Sequence, residues 1–156
     1  MERNGTKLES LLVRNNPWAS EPCERSTCTV CNQKEVPKQP RCRTRNMTYM
    51  NLCMICKKEG KETLYIGETY RSIKERHGEH IRDWLDEKEE SHMTRHSKEC
   101  HNGVTDFMIK PISSHRTAMG RQISETVRIK IKTLEGANLL NSKTEYNRFL
   151  LPELTV

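Results

Sequence analysis

The side chains best suited to chemistry in this sequence are cysteines and histidines, which fall into two groups. The first group has the spacing C-x4-C-x2-C-x10-C and consists of Cys23, Cys28, Cys31 and Cys42. A two-residue gap lets one tight turn present two sulfurs to a tetrahedral ion, and four thiolates leave zinc no open position. The spacing therefore predicts a structural zinc site, with unliganded reduced cysteines as the alternative.

The second group combines a Cys-x2-Cys pair with a later run rich in histidine: Cys53, Cys56, His92, His96, Cys100 and His101. His92 and His96 are four residues apart, as are His96 and Cys100, so each pair would share one face of a helix. By spacing alone, either Cys100 or His101 can complete a two-cysteine zinc site. Such a site would pin the strand hairpin to the segment after the first long helix, whereas the alternative is exposed surface histidines.

The stretch from residue 64 to residue 84 must position the other reactive groups. It begins as a short apolar strand, turns at Gly67 and continues as a helix. One buried helix face is indicated by spacings of three and four between Ile73, His77, His80, Ile81 and Trp84. Arg76 lies at about −60° and His80 at about −20° from Ile73. At the margin of the buried face a guanidinium can hold a phosphate, although an ordinary basic surface helix has the same pattern.

The remaining elements follow from weaker patterns. We expect a first strand over residues 46–54, a hairpin loop over 57–61, a returning strand over 63–67 and the first helix over 71–85. A third strand over 105–112 contains Pro111, which marks a sheet edge or a strand end. In a second helix over 117–132, Ile123, Val127 and Ile131 recur every four residues and are expected to pack on the sheet. Glu125 lies about 200° from Ile123 and falls outside that stripe.

Composition limits the size of the core and indicates the kind of partner. The 156 residues are 33% hydrophobic and 31% charged, which predicts one domain with a thin core that metal helps to stabilise. The net charge of +6 is concentrated in the first 46 residues and suits a polyanion, although solubility alone can explain it. The sequence contains no apolar run of membrane-spanning length and no secretory signal, so we expect an intracellular protein with no membrane partner.

Several separated motifs resemble one nuclease family. Tyr65-Ile66-Gly67, with Arg76 and His80 after it, resembles the second half of the GIY-YIG motif. Met47-Thr48-Tyr49 would be the first half, of which only the tyrosine is kept. The motif Gly-Glu-Thr-x-Arg-Ser over residues 67–72 resembles more narrowly the endonuclease domain of Penelope-like retroelements. Those domains also carry two cysteines between the tyrosine motifs and two histidines beyond the first helix.

The resemblance spans about residues 23–147 and implies a fold. That fold is α+β, with a small three-stranded antiparallel sheet flanked by helices and a zinc-stabilised N-terminal module. The implied division is a lead or linker (1–22), a cysteine-rich zinc module (23–45), a nuclease domain (46–149) and a tail (150–156). The resemblance also favours Cys53, Cys56, His96 and His101 as zinc ligands and leaves Cys100 as the odd thiol.

The resemblance implies an endonuclease that nicks DNA with Mg²⁺ or Mn²⁺, in the nucleus, as part or derivative of a retroelement with its own reverse transcriptase. Tyr49 would orient or deprotonate the attacking water, with support from the Tyr65 hydroxyl. Arg76 would hold the scissile phosphate and Glu125 the catalytic cation. Asn141 would order the metal end or the closing loop, and His80 would be auxiliary.

Each of these residues also has a structural interpretation. The two tyrosines can simply pack, and Arg76 can pair with Ser72 or His80. Glu125 can pair with Arg121 or Arg128, and Asn141 can be a simple turn residue. The rival functions are a catalytically inactive zinc-dependent nucleic-acid-binding domain and a zinc-scaffolded protein-interaction module.

Overall fold

A computed structural model describes Cys23, Arg25 and residues 27–31 and 42–142. The predicted lead over residues 1–22 and tail over 150–156 lie outside the described residues. The described chain is α+β, in agreement with the predicted class. Its elements are β1 (Met47–Cys53), α1 (Met54–Lys58), β2 (Thr63–Thr69), α2 (Ile73–Leu85), α3 (His92–Cys100), β3 (Phe107–Ser114), α4 (Ala118–Leu134) and β4 (Asn138–Leu139).

The described strands form one mixed sheet in the order β3-β1-β2-β4. β1 is antiparallel to both β2 and β3, whereas β4 runs parallel to β2. The prediction of three antiparallel strands is therefore wrong, because β4 has only two residues and no periodicity to reveal it. Pro111 lies within β3 opposite Tyr49, and β3 is an edge strand, where proline is tolerated.

The two faces of the sheet carry different cores because successive strand side chains point to opposite sides. Tyr49 and Tyr65 belong to the face that packs against α2 and the cysteine groups. On the other face, Leu64 and Ile66 pack with Ile129 of α4. The candidate site is built on the first of these faces.

Helix α4 turns a different face to the sheet from the one predicted. Ile123 and Ile131 are 37% and 40% exposed, so the expected apolar stripe does not form the contact. The buried side chains are instead Arg121, Glu125, Thr126 and Ile129. Apolar spacing misled here because the buried face is largely polar. Its arginine is buried through an ion pair with Glu68 and hydrogen bonds to Asn46 and two backbone carbonyls.

Side-chain caps fix where two of the predicted helices begin. The Ser72 hydroxyl accepts a hydrogen bond from the Glu75 amide at 3.2 Å, so α2 begins at Ile73 rather than at residue 71. Thr117 caps α4 in the same way through the Gly120 amide. Two other predictions are wrong: part of the hairpin loop is helix α1, and Gly67 is a strand residue paired with Tyr49 rather than a turn.

Among the described residues, the helices are too short or too polar to cross a lipid bilayer.

Candidate active site and metal centres

Tyr49 lies at the centre of the candidate active site. Its side chain is 0% exposed and lies across Gly67, its partner residue on β2. A methyl group on Gly67 would approach the Tyr49 oxygen to 2.5 Å and Tyr65 Cε1 to 3.0 Å. The Tyr65-Ile66-Gly67 motif therefore needs its glycine for space rather than for a turn.

Two side chains of α2 meet the Tyr49 hydroxyl. Arg76 Nε donates a hydrogen bond to the phenol oxygen at 2.9 Å, and His80 Nε2 lies 2.9 Å from the same atom. The His80 ring also contacts the Tyr65 ring edge-on, with centroids 6.0 Å apart. The four residues Tyr49, Tyr65, Arg76 and His80 that the sequence singled out therefore come together, although they are far apart in the chain.

Burial sets the protonation of this group. It raises the pKa of Tyr49 to about 12, against the opposing effect of Arg76, and it lowers the pKa of His80 to about 3 with help from Arg76 and His77. His80 is thus a neutral imidazole at neutral pH. Arg76 donates to the Tyr49 oxygen, and the tautomer of His80 decides whether the Tyr49 hydroxyl donates to its Nε2 or accepts from it. The expected phenolate base is disfavoured, since desolvation outweighs the nearby cation.

A cleft of about 340 Å³ opens onto this group. Tyr65, Arg76 and His80 line it, together with Asp83, Lys88, Glu90, Ser91, His92 and Met93. The His92 ring stacks on Tyr65 with centroids 6.2 Å apart. Tyr49 lies behind this lining, so a ligand in the cleft would first meet Arg76, Tyr65 and His80.

Sequence reasoning missed the residue that orients Arg76. Glu79 accepts a hydrogen bond from Arg76 Nη1 at 2.7 Å and also forms an ion pair with Arg71. From the sequence, the partners expected for Arg76 were Ser72 or His80. In the structure its guanidinium donates to Tyr49 and Glu79. The signal was present in the sequence, because Glu79 is three residues after Arg76 and shares its helix face.

Glu125 approaches the site from α4. It is only 8% exposed, and its negative charge contributes to the raised pKa of Tyr49. It does not line the cleft in front of Arg76. Glu125 is carried by α4, whose Ile129 packs with Leu64 and Ile66 on the sheet face opposite the tyrosines.

Asn141 has a clear structural task. Its Oδ1 accepts from the Ile66 amide at 2.9 Å, and its Nδ2 donates to the Ile66 carbonyl at 2.7 Å. The side chain thus continues the pairing of β4 with β2 by imitating a backbone peptide group. Of the two roles expected for Asn141, this geometry fits the ordering of the closing segment.

The second cysteine–histidine group converges on one point. The ligand atoms of Cys53, Cys56, His96 and His101 all lie within 4.8 Å of one another. His101 Nε2 is 3.4 Å from Cys53 Sγ, 3.3 Å from Cys56 Sγ and 3.1 Å from His96 Nε2. Tetrahedral ligands at ordinary zinc distances are separated by about 3.3–3.8 Å, close to the spacing of these atoms, so the set can hold a metal ion. Cys100 is exposed and is not in the set.

The four-cysteine group converges in the same way and supports α2 directly. Cys23, Cys28, Cys31 and Cys42 lie within 4.8 Å of one another and can also hold a metal ion. Cys28, Val30 and Cys42 pack in one cluster with Tyr49 and Ile73. The carbonyls of Cys42 and Thr44 accept the Lys74 and Ile73 amides at 2.9 and 3.0 Å. These carbonyls satisfy amides that the first turn of a helix leaves unpaired.

Comparison of the chain with known protein families, curated proteins and solved structures gave no match.

Proposed function

We propose that this chain is a divalent-metal-dependent endonuclease that nicks DNA, with zinc at both cysteine-containing centres. The observation that carries the proposal is the Tyr49 hydroxyl held between Arg76 and His80 beside an open cleft. A guanidinium with a fixed orientation at a cleft is suited to binding phosphate oxygens. The GIY-YIG-like motifs supply the reaction class, and the origin in a Penelope-like retroelement with a reverse transcriptase rests on the same resemblance.

In this proposal each residue of the cleft has a separate task. Arg76 binds the scissile phosphate and stabilises the charge that develops on it. The neutral His80 holds the Tyr49 hydroxyl by a hydrogen bond, and the phenol oxygen orients the attacking water. Tyr65 supports the substrate through its hydroxyl.

The catalytic cation is assigned to Glu125. A buried carboxylate is the oxygen ligand that Mg²⁺ or Mn²⁺ prefers, and neither described ligand cluster contains Glu125, so waters and substrate oxygens would supply the other ligands. Such an ion, when bound, would stabilise the leaving oxygen. Glu125 does not line the cleft in front of Arg76, so the assignment rests on its burial and on the effect of its charge on Tyr49.

The test is a plasmid-nicking assay with added Mg²⁺. Wild-type protein should nick, and Glu125→Gln should reduce the rate by about 10²–10³ or more while DNA binding is retained. Glu135→Gln is the matched control, because Glu135 caps the same helix and its side chain pairs only with Lys132 in the described contacts. Equal nicking by wild type and Glu125→Gln would remove the enzyme hypothesis.

One observation favours the second candidate, a DNA-binding domain without catalysis. Tyr49 is fully buried with a raised pKa, and Arg76 is already paired with Glu79. In that case wild-type protein would bind DNA but leave the plasmid intact at every Mg²⁺ or Mn²⁺ concentration. The third candidate, a zinc-scaffolded protein-interaction module, predicts no salt-dependent DNA affinity.

A further inference from the structure

A second cavity, lined by lysines, lies on the sheet face opposite Tyr49. Its volume is about 440 Å³, and its apolar floor includes Met50 and Leu52, which alternate with Tyr49 and Asn51 along β1. Four lysines from three parts of the chain line it: Lys57, Lys61, Lys110 and Lys132. The only acidic residue among the described lining residues is Glu62. We name this cavity the lysine cleft.

The fold fixes the backbone positions of these lysines. Lys57 and Lys61 flank the turn that ends α1, where Gly60 has a φ of 79° and the Lys61 amide donates to the Cys56 carbonyl at 2.9 Å. Lys110 lies opposite Met50 in the pairing of β1 with β3. Lys132, on α4, donates to Glu62 at 2.8 Å. The convergence of positive charge therefore comes from tertiary structure and is not visible as a run of lysines in the sequence.

The charge balance distinguishes the lysine cleft from the candidate active site. The cleft in front of Arg76 has cations at Arg76 and Lys88 but carboxylates at Asp83 and Glu90, so its charges nearly cancel. A polyanion gains little net attraction there. The lysine cleft has a clear positive excess, and its cations are ammonium groups, which bind phosphates as mobile point charges without fixed geometry.

We propose that the lysine cleft binds the phosphate backbone of a nucleic-acid segment away from the cleaved bond. The choice of nucleic acid over an acidic protein rests on the proposed function, whereas the anion site itself rests only on the cavity and its charges. Backbone binding of this kind is independent of sequence and releases counterions. It gives the protein a grip on DNA that its nearly neutral active-site cleft does not provide.

The experiment compares two double variants with the same change in net charge. Lys61→Glu/Lys110→Glu alters the lysine cleft, and Arg82→Glu/Lys98→Glu alters exposed residues of α2 and α3 that do not line it. Affinity for a labelled DNA duplex is measured by fluorescence anisotropy without added Mg²⁺, over a series of salt concentrations. We expect the cleft variant to bind at least about tenfold more weakly, with a log–log salt slope reduced by nearly two, because each lost phosphate contact removes about 0.9.

The outcomes are decisive in both directions. The control variant should lose less than about threefold in affinity; an equal loss in both variants would show a net-charge effect and overturn the proposal. Displacement of the duplex by polyglutamate at a lower concentration than by unlabelled DNA would assign the cleft to an acidic protein and also overturn it. The neutral variant Lys61→Gln/Lys110→Gln, with unchanged thermal stability and zinc content, should show an intermediate loss. Because no cleavage is measured, a chain that never nicks DNA can still pass this test.

Discussion

At the scale of single residues, Gly67 and Tyr49 form the tightest constraint in the site. Gly67→Ala should destabilise the protein by about 1–3 kcal/mol, because the added methyl would lie 2.5 Å from the Tyr49 oxygen and 2.7 Å from its ring carbon. Urea unfolding measures this change. Gly78→Ala is the control: nothing lies within 4 Å of its added carbon, and alanine in helix α2 should stabilise by up to about 1 kcal/mol.

The double variant Gly67→Ala/Tyr49→Phe separates a local clash from general damage. Loss of the hydroxyl removes the nearest clashing atom, so part of the lost stability should return relative to Gly67→Ala alone. If Gly67→Ala unfolds at the same urea concentration as wild type, Tyr49 does not pack closely against Gly67 of β2.

Two buried histidines predict an acid-sensitive fold. Burial lowers the pKa of His77 to about 4 and that of His80 to about 3. In the unfolded chain both titrate near 6.5, so the unfolded state takes up protons first as the pH falls. Stability should be constant above about pH 7 and decline below about pH 6.5, by roughly 2 kcal/mol per histidine at pH 5.

The measurement is the free energy of unfolding from pH 8 to pH 5 for wild type, His77→Gln and His80→Gln. All three proteins keep the cysteine and histidine ligands, so acid release of metal affects them alike. Each variant should have a shallower pH dependence than wild type. Parallel curves for the three proteins would mean that neither imidazole is held neutral.

At the scale of elements, the two metal centres connect segments that the sheet does not. The Cys53–Cys56–His96–His101 centre joins the end of β1 to α3. His101→Ala should reduce the zinc content from two ions per chain to about one, whereas Cys100→Ser should leave it at two, since the Cys100 thiol is exposed and outside the cluster. Elemental analysis measures the zinc content of each variant. A loss of zinc in Cys100→Ser would show that Cys100, rather than His101, is the fourth ligand.

The four-cysteine centre should control the start of helix α2. Cys28→Ser should accelerate hydrogen exchange of the Ile73 and Lys74 amides by about tenfold or more, because their acceptors are the carbonyls of Thr44 and Cys42. The amides near Trp84, at the other end of the helix, should exchange as in wild type. Unchanged exchange at Ile73 and Lys74 would show that this centre does not support the helix.

Sequence patterns predicted these elements to different degrees, for physical reasons. The buried face of α2 was visible because Ile73, His77 and His80 recur at helical spacing, and the structure buries all three. The buried face of α4 was not visible, because Arg121 and Glu125 are buried through ionic partners that spacing does not encode. The two-residue β4 gave no signal, since its pairing depends on β2 and on Asn141.

Four of the six residues named from the motif resemblance, Tyr49, Tyr65, Arg76 and His80, lie close together in the structure. The other two, Glu125 and Asn141, do not line the cleft. That Glu79 would hold Arg76, and that burial would leave Tyr49 with a raised pKa, depends on packing around the phenol rather than on local sequence.

At the scale of the whole molecule, the metal centres and the apolar core are combined. Two of the three described core clusters contain cysteine ligands, Cys28 and Cys42 in one and Cys53 and Cys56 in the other. The third, with Leu64, Ile66 and Ile129, contains none. With only 33% hydrophobic residues, we expect the chain to depend on metal binding at these clusters for part of its folding free energy.

Removal of zinc should therefore unfold the molecule unevenly. With a zinc chelator, α3 and residues 42–46 should lose protection from hydrogen exchange, while β2 and α4 around Ile129 should keep more of theirs. Thermal unfolding should become broad and shift to lower temperature, because the metal-free chain no longer unfolds as one cooperative unit. Added zinc should restore the sharp transition. A metal-free protein with the wild-type melting curve would show that the apolar clusters alone stabilise the fold, and Tyr49 would then owe its position to the sheet rather than to the cysteine and histidine clusters.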